Sequence, residues 1–283
     1  MKTLVIGGSG FVGYYIKEYF KCKSTSSIEK SGYQKLDITD TEEIKRVIEK
    51  DRPELVINSA AMADLDLYEK EVDKAAIING QAVEWVSQNA QRINAKFVQI
   101  STDYVFDGEK GNYSELDTPN PINQYGKSKL VGELNALKYN GIVLRIEMPY
   151  GINLAKNKNV FFESVLRNLS SGKEVNAAVD QIISPTFIED IPMAIETLVS
   201  KDYKGIFHLA SKEKLSRYDF VIKIAEVFGF NKNLVKKVSL DEFKFVARRP
   251  KKTSLNIAKI SETFDIKSMD VNLNKIKTEY KIN

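Results

Sequence analysis

The sequence predicts an α/β protein: a Rossmann-type doubly wound parallel sheet with a smaller C-terminal lobe. Three observations carry this. Short, β-branched apolar runs alternate with amphipathic helical stretches through the first half of the chain. The first run ends in a glycine turn that opens a helix. The connections are short, as the crossover units of a parallel sheet require.

Leu4-Val5-Ile6 reads as a buried strand that stops at glycine. Residues 10–21 then read as a helix with Val12, Tyr15, Ile16 and Tyr19 on one face. The polar stretch 22–33 has room for one short strand, and Lys35-Leu36-Asp37 is a short strand end. Asp40 with Glu43 forms a capping box for a helix carrying Ile44, Val47 and Ile48, which Pro53 stops. Leu55-Val56-Ile57 is the next buried strand. A long helix over 71–92 turns Ala75, Ile78, Ala82, Val83 and Val86 inward. Phe97-Val98-Gln99-Ile100 is a strand running into Ser101-Thr102-Asp103. A loop rich in Asp, Gly, Asn and Pro spans 107–123, a helix follows to about residue 138, and Ile142-Val143-Leu144 is a strand.

Beyond residue 150 the pattern loosens. Helices fit near 159–171, 189–200 and 217–228, with a strand at 206–209, while 234–283 is lysine-rich and mixed. The expected organisation is a dinucleotide-binding domain over 1–150 and a substrate-binding lobe over 151–283. The two interleave if the strand near 205–209 returns to the sheet.

Composition narrows the function. The chain has 283 residues, enough for a full core without staples. Its 42 basic and 38 acidic residues leave a net charge of +4, too balanced to indicate nucleic acid and compatible with a cleft for a small anion. Cys22 is the single cysteine and His208 the single histidine, which excludes a disulfide framework and a multi-histidine metal site. No Gly-x-Ser-x-Gly elbow accompanies His208, so a hydrolase triad is not expected. The opening apolar run is too short for a secretory signal and no stretch is long enough to span a membrane, so a cytoplasmic protein is expected.

Gly7, Gly10 and Gly13 form Gly-x-x-Gly-x-x-Gly between the first strand and first helix. Such a turn lets backbone approach a pyrophosphate and aims helix N-terminal amides at it. Tyr125 and Lys129 form Tyr-x-x-x-Lys. The spacing alone is weak, since Tyr19 and Lys23 repeat it in the first helix, where it reads as a surface coincidence. The later pair gains meaning from context. Its i,i+4 spacing puts phenol and ammonium on one helix face, where the cation would lower the Tyr pKa toward neutrality. The preceding strand ends in Ser101-Thr102, whose hydroxyl can bond a substrate carbonyl.

The glycine spacing and the Thr102, Tyr125, Lys129 set resemble short-chain dehydrogenases/reductases of the extended group. Ile100-Ser101-Thr102-Asp103-Tyr104-Val105-Phe106-Asp107-Gly108 and Pro119-Asn120-Pro121-Ile122-Asn123-Gln124-Tyr125-Gly126-Lys127-Ser128-Lys129 narrow the likeness. With residues 52–61 and 249–256 they look like the dTDP-4-dehydrorhamnose reductase family, over most of the chain. Regulatory β subunits of methionine adenosyltransferase are close relatives of that family.

The resemblance implies hydride transfer from NADPH, with NADH an alternative, to the 4-keto carbon of a dTDP-sugar. By resemblance Tyr125 would protonate the alkoxide, Lys129 would hold the nicotinamide ribose, and Thr102 would orient the keto oxygen. Gly7, Ser9, Gly10, Phe11 and Val12 would meet the pyrophosphate, Asp37 and Ile38 the adenine side, and Ala60, Ala61, Met62 and Ala63 the rest of the cofactor. Asp103, Tyr104, Met148 and Arg249 would touch the substrate. No metal, nucleic acid or membrane partner is implied, and a homodimer is allowed. Three departures stand out: Ser59 replaces the first Ala of an Ala-Ala-Ala strand end, Ala63 stands where Thr is common, and Met148 stands where a Trp is frequent. Related dehydratases carry Asp-Glu after the Thr; Asp103-Tyr104 lacks the second carboxylate, which favours reduction over dehydration.

Other positions stay open. Asp37 also suits a solvated loop or helix start, and Asn79, where the family often supports a proton relay, reads rather as a helix-surface residue. Arg248-Arg249-Pro250-Lys251-Lys252 suits a substrate diphosphate or a solvated loop. Pro185-Thr186 suits a substrate-lobe entry or a plain turn. His208 reads as structural and Trp85 as core. Lys21 and Lys23 would tolerate a ribose 2′-phosphate, which leans the cofactor to NADPH. Three functions follow: a reductase, a regulatory subunit that binds NADP(H) without turnover, or a reductase or epimerase of another nucleotide sugar.

Overall fold

The computed structural model describes residues 1–62, 64–156 and 160–280. Ala63 therefore lies outside the described residues. Seven parallel strands form the main sheet: β1 (Thr3–Ile6), β2 (Lys23–Ser26), β3 (Gln34–Lys35), β4 (Leu55–Asn58), β5 (Lys96–Thr102), β6 (Ile142–Ile146) and a late strand, Gly205–Leu209. Their order is β3-β2-β1-β4-β5-β6 followed by that late strand. The order reverses between β1 and β4, and the crevice at such a switch point is where an open α/β sheet binds ligands.

The helices of the first half are α1 (Phe11–Phe20), α2 (Thr41–Asp51), α3 (Leu65–Tyr68), α4 (Val72–Ala76), α5 (Ala82–Arg92) and α6 (Gln124–Lys138). The long helix expected over 71–92 is thus interrupted by a π-helical segment, Ile77–Gln81. Asn79 sits in that segment and is buried, which corrects its reading as a surface residue. Asp40 caps α2 by accepting from the amides of Glu42 and Glu43. The Glu43 carboxylate reaches back to the Asp37 amide (2.8 Å) rather than to Asp40, so the capping box is offset.

Strand pleating splits the core into two layers. Val5, Leu55, Ile57, Val98 and Leu144 point to one face, where Phe11 and Ile16 of α1 and much of the C-terminal half pack. Leu4, Ile6, Val56, Phe97 and Val143 point to the other, against Ile44, Val47 and Ile48 of α2 and Val83 and Val86 of α5. Trp85 packs partly buried against this second layer. Tyr19 does not share the inward face of α1: it is exposed, and its hydroxyl bonds Glu196.

The second half contributes α7 (Phe161–Ser170), β7 (Val175–Ala178), β8 (Ile182–Ile183), α8 (Asp190–Ser200), β9 (the late strand Gly205–Leu209), β10 (Leu215–Ser216), α9 (Arg217–Phe228), β11 (Val235–Val238), α10 (Ala258–Ser261) and α11 (Met269–Glu279). Strand β9 pairs with β6 from Ile142↔Gly205 to Ile146↔Leu209. Outside the main sheet, β7 pairs in parallel with β11, and β8 pairs antiparallel with β10.

A buried polar clamp ties the sheet to α6. Arg145 on β6 holds Glu133 through Nε–Oε1 (2.8 Å) and Nη2–Oε2 (2.6 Å), with both side chains 1% exposed. Ser101 on β5 donates to the same carboxylate (2.5 Å). Arg145 Nη1 also donates to Nε2 of His208 (3.2 Å), whose Nδ1–H donates to the Tyr113 carbonyl (3.0 Å). His208 is fully buried, and desolvation with the adjacent Arg145 charge lowers its pKa to about 3. It is a neutral structural residue, consistent with its sequence reading.

Candidate active site

The C-terminal ends of β1, β4, β5 and β6 open into a cavity of about 350 Å³. Its cofactor side is built by the glycine turn. Gly7 has φ +80°, and a Cβ there would lie 2.6 Å from Ala60 Cα. A Cβ on Gly13 would lie 2.2 Å from the Gly7 carbonyl oxygen and 2.5 Å from Ser59 Oγ. These two glycines seat α1 on the sheet. Gly10 differs: a Cβ there would meet only the Gly7 oxygen, at 3.4 Å, so its open side faces the cavity. Gly10 is also the N-cap of α1, and no side chain caps it. The first amides of a ten-residue helix therefore lack a side-chain acceptor where Gly10, Phe11 and Val12 line the cavity. That arrangement fits a pyrophosphate.

The opposite wall comes from β5, α6 and β6. Thr102 ends β5, and Asn123 caps α6 by accepting from the Gly126 amide, which sets Tyr125 and Lys129 on the face toward the strand. Tyr125 and Thr102 line the same wall of the cavity, with the Thr102 hydroxyl beside the phenol. The Ser101 hydroxyl is held by Glu133 and the Thr102 hydroxyl by Asp103, and Thr102 is the one beside the phenol. Lys129 is 4% exposed, and its Nζ donates to the Ile100 carbonyl (2.6 Å). Burial lowers its pKa to about 8. Burial also pushes the Tyr125 phenol well above its usual value, reinforced by Asp103 and Tyr104. The expected depression of the phenol by Lys129 is therefore not what this geometry gives, because the ammonium is turned to a backbone carbonyl. A phenol that keeps its proton at neutral pH is suited to act as the acid.

Rings close around the phenol: Tyr68 lies 5.5 Å and Tyr104 6.0 Å from it, centroid to centroid. Asn79 holds Tyr68 through its Nδ2 (2.7 Å) and also donates to Ser128 Oγ (3.1 Å). Tyr68 in turn bonds the Met62 carbonyl.

Asp103 is buried, accepts from the Thr102 hydroxyl (3.0 Å), and has its pKa raised by burial and by Glu147. Glu147 is a second carboxyl here, supplied from the end of β6 rather than from position 104. Its oxygens accept from Thr253 Oγ1 (2.8 Å), the Ser184 amide (2.9 Å) and Ser184 Oγ (2.7 Å). Thr253 also lies beside Asp103 and so sits between the pair. Burial raises Glu147 to about 7. Pro185-Thr186 belongs to the same support, since Thr186 Oγ1 accepts from the Glu147 amide (2.9 Å).

Of the residues singled out from sequence, Gly10, Phe11, Val12, Ala61, Thr102, Asp103, Tyr104, Tyr125, Lys129 and Met148 line this one cavity. Gly7 and Ser9 complete the turn, and Ala60 packs behind it. Asp37 and Ile38 follow β3, outside the cavity; Asp37 accepts from the Thr39 amide (2.9 Å) and hydroxyl (2.7 Å). Arg249 lines an adjoining groove, and its Nη2 holds Asp66 (2.7 Å). Lys21 and Lys23 stand at the start of β2, the end away from the crevice, and Lys23 pairs with Asp51 (2.5 Å). They do not reach a ribose phosphate, and that reason for preferring NADPH falls. Sequence reasoning missed Glu147, Gln181, Arg217 and Thr253 on the cavity wall. They come from four separate places in the chain: Thr253 lies in the 249–256 stretch without a role of its own, and Ser216 with Asp219 is a helix-start signal that could have marked Arg217.

A glycine-turn Rossmann sheet with a Tyr-x-x-x-Lys helix beside a threonine-ended strand is the fold of a short-chain dehydrogenase/reductase. The particular family follows from comparison: residues 1–278 match the RmlD substrate binding domain model, and the chain belongs to that family. The chain is similar to dTDP-4-dehydrorhamnose reductase of Aggregatibacter actinomycetemcomitans, 31% identical over 95% of each protein. It is also 28% identical to methionine adenosyltransferase 2 subunit beta of Rattus norvegicus, over 94% of this chain and 83% of that one. Among solved structures, dTDP-4-dehydrorhamnose reductase of Bacillus anthracis in complex with NADP superposes with a TM-score of 0.86. It is 29% identical, over 99% of this chain and 100% of that one.

Proposed function

We propose that this chain is an NAD(P)H-dependent oxidoreductase that reduces the 4-keto group of dTDP-4-dehydro-β-L-rhamnose to dTDP-L-rhamnose. The observation that carries the reading is that Thr102, Tyr125 and Lys129 line one cavity together with the open face of Gly10. The nicotinamide cofactor, when bound, supplies the hydride. Gly10, Phe11 and Val12 would hold its pyrophosphate, and Ala61 would line its path. NADPH is the cofactor we favour, supported by the NADP complex of the Bacillus anthracis relative; NADH is the alternative.

The remaining chemistry belongs to the chain. A keto oxygen between Thr102 and Tyr125 would accept from the phenol, and from the Thr102 hydroxyl once that hydroxyl turns from Asp103. As negative charge develops on that oxygen, Tyr125 gives up its proton to it. Lys129 would leave the Ile100 carbonyl to hold a ribose hydroxyl and to stabilise the phenolate left behind. Asp103, Tyr104 and Met148 surround the sugar. Residues 1–150 serve the cofactor and 151–283 the substrate in this reading.

The regulatory-subunit alternative draws on the subunit beta relative, but the complete hydroxyl, phenol and ammonium set gives turnover the stronger support. A cytoplasmic location is in keeping with the described helices, none of which is long and apolar enough to cross a membrane. A homodimer is allowed, and exposed Val131 and Leu134 on one face of α6 are in keeping with it. Oxidation of NADPH by the purified chain, with the 4-keto sugar nucleotide as acceptor, tests the function. Absence of turnover alongside tight NADPH binding would favour the regulatory reading.

A further inference from the structure

The hydroxyl hydrogen of Thr102 is turned away from the keto position. Thr102 Oγ1 donates to Asp103 Oδ1 (3.0 Å) and accepts from the Tyr104 amide (3.2 Å). A hydroxyl has one hydrogen and two lone pairs. While Asp103 is a carboxylate, that hydrogen is held and Thr102 has none for a substrate oxygen. A proton on Asp103 changes this. A neutral acid is a weaker acceptor than a carboxylate, and it can itself donate to Thr102. The two lone pairs of Thr102 then serve the Tyr104 amide and Asp103, and its hydrogen is left for the cavity.

Glu147, at the end of β6, decides where that proton sits. Asp103 is 4% exposed and Glu147 1%, both line the cavity, and the fully buried Thr253 lies between them. Two carboxyls enclosed together do not both ionise, so one keeps a proton. Glu147 accepts from Thr253 Oγ1 (2.8 Å), the Ser184 amide (2.9 Å) and Ser184 Oγ (2.7 Å), a set that favours its charged form. Thr253 gives its only hydrogen to Glu147, so toward Asp103 it can only accept. The proton therefore belongs on Asp103, where burial and the Glu147 charge both hold it. The other groups facing Asp103 do not reverse this. Tyr104, next in the chain, and Tyr125 of α6 are phenols whose pKa values burial raises, so they stay neutral. Lys129 of α6 turns to the Ile100 carbonyl (2.6 Å). Arg217, at the start of α9, lies over the Phe161 ring (4.4 Å) with its Nη2 on the Met148 sulfur (3.2 Å), and among the described residues it forms no ion pair with Asp103.

We propose that Glu147 and Asp103 are positioning residues that make Thr102 a hydrogen-bond donor: ionised Glu147 keeps a proton on Asp103, and the neutral acid yields the Thr102 hydrogen to the keto oxygen. No net proton leaves the pair, and Tyr125 still protonates the product. Donation to a keto oxygen rests on the reductase reading; the proton on Asp103 does not.

Infrared titration of the purified chain reads the carbonyl stretch of protonated carboxyls without substrate. At about pH 8 such a band should remain in the parent and be lost in Asp103→Asn. In Glu147→Gln it should vanish at least about one pH unit lower than in the parent. Absence of an Asp103-dependent band, or the same titration in Glu147→Gln, overturns the proposal. The pH profile of NADPH-dependent reduction of the 4-keto dTDP-sugar then reads the effect on Thr102. The alkaline fall of kcat should come at least about one pH unit lower in Glu147→Gln, with little change in KM, and Glu147→Gln should shift nothing in an Asp103→Asn background. An unshifted kcat profile beside a shifted band overturns the positioning role, as does a shift that survives in Asp103→Asn. A parent chain that holds the Asp103 proton but shows no turnover sinks the reductase reading and leaves the proton assignment standing.

Discussion

Replacing Gly10 and Gly13 separately by alanine divides the glycine motif into a ligand-facing and a fold-facing part. At Gly10 the backbone is extended (φ −78°, ψ 168°), which alanine adopts freely, and the new methyl would touch only the Gly7 oxygen at 3.4 Å. Alanine is a poorer N-cap than glycine but also restricts the unfolded chain. The two effects oppose each other, and stability should change by less than about 1 kcal/mol. The methyl would, however, occupy the side by which a pyrophosphate approaches the α1 amides. NADPH affinity should fall at least tenfold, which is about 1.4 kcal/mol or more. At Gly13 the methyl would lie 2.2 Å from the Gly7 oxygen and 2.5 Å from Ser59 Oγ, and neither the turn nor the strand end can retreat cheaply. Overpacking of that kind costs about 1–3 kcal/mol of stability. Urea unfolding and NADPH titration, run on both variants, give four numbers. Full NADPH affinity in Gly10→Ala would refute the placement of the cofactor on this turn. Equal destabilisation of the two variants would refute the division of roles.

Glu133→Ala should destabilise the fold by about 3–5 kcal/mol, because it strands Arg145 in a site 1% exposed; a loss under about 1 kcal/mol in urea unfolding would contradict the clamp. Glu147→Gln tests the carboxyl pair by pH. Because burial raises the Glu147 pKa from 4.5 to about 7, the folded chain holds this proton more tightly than the unfolded chain. The parent should therefore lose stability relative to Glu147→Gln as pH rises from about 4.5 to 7, by about 2–3 kcal/mol in all. A difference that does not vary over that interval would show that Glu147 ionises normally. Asn79→Ala should loosen Tyr68 beside the phenol, lowering kcat with little change in NADPH affinity. Unaltered kcat would remove Asn79 from the support of Tyr125.

The N-terminal half was legible because β1, β4, β5 and β6 are short, largely buried apolar runs, and α2 has its own stripe and cap. The motif residues were legible for a related reason: Gly10, Thr102, Tyr125 and Lys129 lie at the ends of those same elements, so placing the elements placed the site. Glu147, Gln181, Arg217 and Thr253 come from four separate places and meet only because β9 rejoins the sheet and the 251–253 segment bonds β8. Helix α11 was readable in principle: Ser268 caps it, and Met269, Leu273 and Ile276 form an inward stripe. Exposed lysines on its other face, and Lys236 and Lys237 in β11, masked the pattern. The electrostatics of the phenol were misread because spacing brings Lys129 near Tyr125 but does not say that its ammonium turns to the Ile100 carbonyl.

The most direct test of the central claim is NADPH oxidation followed at 340 nm, with the 4-keto dTDP-sugar generated in the cuvette, for the parent chain and for Tyr125→Phe. The account predicts turnover by the parent and a loss of about 10²- to 10⁴-fold in the variant, with NADPH affinity nearly intact. Turnover by Tyr125→Phe close to that of the parent would contradict the assignment of Tyr125 as the proton donor, and with it the mechanism.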